Sequence, residues 1–263
     1  MTAPTAAEAI LQSLGITEPA EIDLEAIAWT LRARVRYRPL DGCEARIIGN
    51  GDQAIITVNS RNSYRRQRFS LGHELGHWQY HRGRLLVCRA NEIGGAAQHT
   101  TAFEKVADAY AADLLMPGYL FQPVARAYPK LTFQTVQAIA DLFDVSRTAT
   151  AIRLVEGRHS SALLVCHGPQ GRKWFSRSPD VPERWFPRDN LDPESFAFGV
   201  LFGEQPEDRL PRRIGADAWF DRSEAERYEV HEQTIRTASG KILTLVLLSD
   251  EDMLEDWGSR CVR

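Results

Sequence analysis

Five residues, His73-Glu74-Leu75-Gly76-His77, constrain this chain more than any other feature in it. On an α-helix, side chains four apart stack on one face, so both imidazoles can grip one metal ion. Glu74 points about a quarter-turn aside, where it reaches a water on that ion more easily than the ion itself. Zinc held in this way keeps an open position for a water whose pKa falls to roughly 7, and a neighbouring glutamate can take its proton. The pattern demands a helix, and Phe69, Leu71, Leu75 and Trp78 predict that it packs into a core. Gly72 and Gly76 each cost a helix about 1 kcal/mol relative to alanine, which makes sense where another backbone comes close. The bland alternative is a surface helix on which two histidines and a glutamate occur by accident.

A second segment, FEKVADAYAADLLMP over residues 103–117, supplies what such a site still needs. It reads as an amphipathic helix burying Phe103, Val106, Ala107, Tyr110, Ala111, Leu114 and Leu115. A hydrolytic zinc site takes three protein ligands and leaves a fourth position open, and a carboxylate from another helix is a usual third. Glu104 is the candidate, and Asp108, one turn on, is placed to accept the outer N–H of a ligating histidine. Ala107, Ala111 and Ala112 keep this helix slim, so two helices can approach one ion. The metzincin extension fits worse, because Tyr80 and Gly83 stand where it requires Gly and His.

His73-Glu74-x-x-His77 followed by Glu104-x-x-Ala107-Asp108-x-Tyr110-Ala111-x-x-Leu114-Leu115-Met116-Pro117 resembles the ImmA/IrrE family of bacterial metallopeptidases, closely in both segments and more loosely over residues 6–157. The resemblance implies His73, His77 and Glu104 as zinc ligands and Glu74 as general base. It also implies a regulatory endopeptidase that cleaves an XRE-type helix-turn-helix repressor, commonly encoded nearby. Cleavage would switch on a stress, DNA-damage, antiviral-defence or mobile-element operon, with single-stranded DNA as a candidate activator. Manganese is an alternative to zinc, because histidine–carboxylate sites accept both. The rival reading is a non-catalytic metal-containing regulator that acts by binding a repressor or DNA.

Two further residues bear on this site. His81 continues the four-residue spacing, but a helix rises about 6 Å per four residues, so it cannot share the ion. It is a candidate substrate contact, or an ordinary surface histidine. Cys88 lies between the two segments, and a thiolate bound in the water position would switch the enzyme off. We read it as a candidate inhibitory fourth ligand, against the alternative of a buried thiol.

The fold class expected is α+β in three parts. Residues 1–117 form a zincin-like metallopeptidase domain of helices plus a small antiparallel sheet. Residues 118–157 form a helix-turn-helix-like segment, and 158–263 a C-terminal α/β sensor domain that is GAF-like in topology only. Helices are predicted over 6–14 and 23–33, the second capped by Asp23. Strands are predicted in VRYRPL, CEARIIG and QAIITVN. Proteases of this kind commonly hold substrate as an added strand, and QAIITVN, with Ile55, Ile56 and Thr57, is the candidate edge; Tyr110 is a further substrate-contact candidate. An interior strand is the alternative reading of QAIITVN. Residues 131–157 read as two helices around Asp144-Val145-Ser146, the second a thin set for reading bases (Arg147, Thr148, Thr150, Arg153) and better suited to packing or docking.

Composition narrows the class. With 43% hydrophobic and 25% charged residues the chain is that of an ordinary globular protein. It shows no apolar run of ~20 residues and no secretory signal, and its four cysteines form no CxxC pair, so a cytoplasmic protein with no membrane partner is expected. Nine arginines between 32 and 68 face only Asp41, Glu44 and Asp52, a basic front suited to an anionic partner or simply a solvated surface. Arginines interleaved with aromatics over 172–188 could stack bases or build a domain core and rim.

Overall fold

The computed structural model describes residues 3–80 and 102–255. The chain divides into two compact units, residues 1–127 with 139–146, and 128–138 with 147–263.

In the first unit α1 (Ala6–Ser13) opens with a reciprocal cap between Thr5 and Glu8. α2 (Leu24–Thr30) opens on Asp23, whose carboxylate accepts from the N–H groups of Glu25 and Ala26. This helix stops short of residue 33, because Arg32 takes a positive φ of 58° and turns the chain into a strand. Three strands follow, β1 (Ala33–Arg38), β2 (Ala45–Asn50) and β3 (Gln53–Asn59), in the order β1-β3-β2.

β2 and β3 form an antiparallel hairpin through Gly51 at φ 61°. β1 pairs with β3 in parallel, which corrects the expectation of an all-antiparallel sheet. The reason is a crossover: residues 39–44 pass the end of β3 to start β2 on its other side. Asn59, at that end of β3, holds the crossing loop. Its side chain accepts from the Leu40 N–H at 3.2 Å and donates to the carbonyls of Leu40 and Cys43 at 2.9 and 3.1 Å. The register puts Val35, Ile56 and Ile47 in one row across the sheet, and Arg36, Thr57 and Arg46 in the adjacent row on the opposite face.

α3 (Tyr64–Tyr80) packs on β2 and β3 and lies against α4 (Ala102–Leu115); α5 (Gly118–Arg126) follows Pro117. α6 (Phe133–Phe143) and α7 (Arg147–Glu156) flank a tight turn in which Asp144 takes a φ of 52°. α6 is shared, its first half in the second unit and Ile139 onward in the first. On α7, Thr150 is fully buried, so it is not available to read bases.

The second unit is built on a five-stranded antiparallel sheet. β4 (Ala162–Gly168) and β5 (Gly171–Arg177) form a hairpin, turning at Gly171 with φ 94°. α8 (Phe196–Phe202), β6 (Arg212–Gly215), β7 (Glu229–Arg236), β8 (Ile242–Leu248) and α9 (Glu251–Leu254) complete it in the strand order β5-β4-β8-β7-β6. The aromatic–arginine stretch turns out to build core and rim. Trp185 is fully buried and donates to the Met253 carbonyl at 2.6 Å. Phe175 and Phe186 meet edge to face at 5.0 Å, with the Arg172 guanidinium 4.5 Å above Phe186. Among the described residues no helix is long and apolar enough to cross a membrane.

Candidate metal centre

The seam between α3 and α4 explains both glycines of the motif helix. A Cβ on Gly76 would sit 2.9 Å from Cα of Ala107 and 3.1 Å from Cβ of Tyr110, closer than carbon atoms tolerate. On Gly72 it would meet Cβ of Ala111 at 3.3 Å. Ala107 and Ala111 are fully buried against these two positions. Gly76 against Ala107 and Gly72 against Ala111 also show that the helices run antiparallel, which brings Glu104, near the start of α4, beside His73 and His77.

The three ligand atoms of His73, His77 and Glu104 all lie within 4.8 Å of one another. His73 Nε2 is 3.0 Å from Glu104 Oε2 and 3.0 Å from His77 Nε2, and His77 Nε2 is 3.4 Å from Glu104 Oε1. A tetrahedral ion with bonds of about 2.0–2.1 Å would hold its ligand atoms about 3.3 Å apart, so the spacing fits. The donor chemistry fits too, since two imidazole nitrogens and one carboxylate suit zinc or manganese. Both histidines are buried, and Glu104 is only 9% exposed. Convergent lone pairs in such a place are what a cation would neutralise.

Asp108 stands behind His73, its Oδ1 2.9 Å from Nδ1. That contact fixes the proton on Nδ1 and leaves Nε2 free to face the other ligands. Burial works against the charged form of His73, but hydrogen bonds to Asp108 and Glu104 outweigh it and raise the pKa to about 9. Burial likewise opposes the Glu104 carboxylate, and the two histidines more than offset it and hold its pKa low. Without an ion the two groups thus stabilise each other's charge, and a bound cation would take the place of the proton on His73 Nε2. Glu74, the residue after His73, is fully buried on α3.

The remaining sequence expectations fall out differently. β3 is the central strand, paired with β1 on one side and β2 on the other, so Ile55, Ile56 and Thr57 cannot take an added substrate strand. Ile56 is fully buried on the face that holds Val35 and Ile47. Tyr110 is 3% exposed and meets Tyr80 edge to face at 5.9 Å, which makes it part of the helix packing. Burial raises its phenol's pKa, as it does that of the Cys43 thiol, which also feels the charges of Arg46 and Glu74. Cys43, in the loop before β2, reads in the sequence only as one of four scattered thiols, since nothing but the fold links it to Glu74. His81 and Cys88 lie outside the described residues.

Comparison with known proteins accords with this site. The family model of the IrrE N-terminal-like domain, peptidase M78, matches residues 30–155, which include the sheet and both site helices. Among solved structures, a Mycobacterium tuberculosis transcriptional regulator aligns with a TM-score of 0.57 at 14% identity, covering 98% of this chain and 92% of that one, a likeness of fold. A search of curated proteins gave no match. Residues 30–155, the part of the chain that holds the site, are thus similar to the IrrE N-terminal-like domain, in agreement with the resemblance carried by the motif residues.

Proposed function

We propose that the chain is a regulatory zinc endopeptidase, working in the cytoplasm, whose substrate is an XRE-type helix-turn-helix repressor. The observation that supports it most is the convergence of His73, His77 and Glu104 from two helices, with Glu74 buried on the same helix as the histidines. A divalent ion bound there supplies a Lewis acid for the scissile carbonyl and a water of lowered pKa. The residues do the rest. His73, His77 and Glu104 hold the ion, and Asp108 orients His73 through its Nδ1–H. Glu74 accepts the proton of the attacking water on its carboxylate and returns it to the leaving amine. The buried setting excludes bulk water from that exchange. For the scissile segment, β2 is the better edge than β3, since it is an edge strand and α3 packs against it.

The five-stranded second unit would act as the sensor module that gates cleavage, GAF-like in topology, with α6 and α7 as the helix-turn-helix-like link to it. Single-stranded DNA is the candidate signal, on the family resemblance. The description of the M. tuberculosis neighbour as a transcriptional regulator accords with a regulatory role. The test is incubation of the zinc-loaded protein with the helix-turn-helix repressor encoded next to it, with and without single-stranded DNA, followed by mass spectrometry of the products. Cleavage that is lost in Glu74→Gln while bound zinc is retained supports the enzyme. Repressor binding without any cleavage, unaltered in Glu74→Gln, would establish the non-catalytic regulator instead.

A further inference from the structure

The structure sorts eight of the nine arginines of the basic front into two sets; the ninth, Arg68, donates to the Ile22 carbonyl. Arg32, Arg61, Arg65 and Arg66 are ion-paired, with Asp52, Asp41, Asp141 and Glu44 respectively. Arg34, Arg36, Arg38 and Arg46 make no ion pair among the described residues, and all four are exposed. They are not scattered. Arg34, Arg36 and Arg38 alternate along β1, and the register places Arg46 of β2 in the same row as Arg36, with Thr57 of β3 between them. All four therefore lie on the sheet face opposite Val35, Ile56 and Ile47, the face on which α3 packs against β2 and β3.

β1 is also an edge. The Arg32 and Arg38 carbonyls accept from Ala54 and Ser60 N–H groups, so by alternation the even-numbered residues turn their backbone groups to β3. Ala33, Val35 and Tyr37 then direct theirs outward, where no described strand pairs with them. A surface groove of about 480 Å³ runs along this edge, lined by Ala33, Arg34 and Val35 on one side and by Glu25 and Trp29 of α2 on the other. Trp29 is 67% exposed, and the Arg34 guanidinium lies 5.8 Å from its ring.

We propose that the free edge of β1 is a docking site for an extended segment of a protein partner carrying carboxylates at alternate positions. Such a segment would hydrogen-bond to the outward backbone groups of Ala33, Val35 and Tyr37 as an added strand. Its alternate side chains would then stand beside Arg34, Arg36 and Arg38 at cross-strand distance, about 5 Å between Cβ atoms. The residues between them would face Val35, Tyr37 and Glu25, where neutral or apolar side chains fit and a further carboxylate would be repelled. The period of two is the argument for polypeptide: an added strand repeats its side chains at the same spacing as the arginines. Because β1 is the edge remote from α3, the site is for docking, and the scissile bond lies elsewhere on the partner. The docking role rests on the peptidase reading only in taking the partner to be its substrate; the edge and its charge stand without it.

The test uses the full chain loaded with zinc and a fluorescein-labelled 12-residue peptide with Glu at alternate positions between Val and Thr, read by anisotropy. Arg36→Glu and Arg38→Glu, both at exposed positions, should each weaken binding by about tenfold. The same peptide N-methylated at the residues whose N–H groups pair with β1 should lose binding although its charge is unchanged. Binding should persist in Glu74→Gln protein, which separates this test from that of catalysis. Equal binding of the methylated peptide would overturn the added strand in favour of charge alone. Tighter binding of an oligothymidylate of equal charge, with the same dependence on Arg36 and Arg38, would assign the face to nucleic acid and sink the proposal, as would unchanged affinity in both variants.

Discussion

Replacing Gly76 by alanine should separate metal affinity from fold stability. The added methyl would lie 2.9 Å from Cα and 3.0 Å from the carbonyl oxygen of Ala107, both backbone atoms that no rotamer change can move. Comfortable carbon contacts begin at about 3.5–4.0 Å, so α3 and α4 must part by roughly 0.6–1 Å along that line. Glu104 is three residues from Ala107 on the same helix and moves with it. Metal sites tolerate about 0.2 Å in ligand distance, so the displacement exceeds tolerance several-fold. Stability changes less. Overpacking costs about 1–3 kcal/mol, and alanine returns about 1 kcal/mol in helix propensity, a net loss of about 0–2 kcal/mol. We expect Gly76→Ala to fold, with zinc affinity lowered by at least about 10–100-fold, the range seen when ligand support is lost. A chromogenic chelator competed against the protein for zinc measures the first quantity, and circular dichroism melts of the metal-free protein the second. Gly72→Ala is the control, since its methyl meets the side chain of Ala111 at 3.3 Å and should do less. If Gly76→Ala holds zinc as tightly as the unsubstituted protein, or no more weakly than Gly72→Ala, the seam does not govern the site and the reasoning fails.

Asp108→Asn keeps the size of the side chain that meets His73 Nδ1 but removes its charge, and should weaken zinc binding by about 10–100-fold, read by chelator competition, and lower the metal-free melting temperature as well, since Asp108 also stabilises the protonated His73 ring. Asn59→Ala strips the β1–β2 crossing loop of three hydrogen bonds, and urea denaturation should show a loss of about 1–3 kcal/mol. In the second unit, burial raises the Glu232 carboxyl to a pKa of about 7, even though its oxygens accept from Trp219 Nε1–H at 2.6 Å and Ala197 N–H at 2.8 Å. The native state then keeps a proton that the unfolded chain releases above its ordinary pKa of 4.5. Its contribution is therefore full below about pH 4.5, falls as pH rises through about 7, and is flat beyond, a loss of about 3 kcal/mol. Equilibrium unfolding at pH 5 and 8, followed by tryptophan fluorescence, should show that fall, and Glu232→Gln should flatten it; an equal fall in the variant would assign the pH dependence to other groups.

The metal site was legible because every element of it is a helical spacing. His73 and His77 share a face by their separation of four, Glu104 and Asp108 repeat that separation, and the glycines announce a close neighbour before the neighbour is known. Ala107 and Ala111 carry the same spacing on the other helix and keep it slim; that they are the residues set against Gly76 and Gly72 is what the structure adds. Asp23 as the cap of α2 was readable for a similar reason, since capping is local.

What the sequence withheld is whatever depends on neighbours brought from elsewhere in the chain. Alternation tells which face a strand residue takes, but not which strand lies beside it. QAIITVN looked suited to an edge, yet its burial on both faces, from Ile56 and Val58 on one side to Thr57 on the other, belongs to a central strand. The parallel pairing of β1 hinges on Asn59 catching a loop some fifteen to twenty residues away in sequence, and no local pattern encodes that. The arginines make the same point with charge. Counted along the chain, nine of them form one undivided run; only the fold separates the four neutralised by Asp41, Glu44, Asp52 and Asp141, and Arg68, which donates to the Ile22 carbonyl, from the four left on one face of the sheet. A charge pattern becomes an argument about partners once the fold has subtracted the charges it uses on itself, and here the remainder falls on the strand whose backbone edge is open.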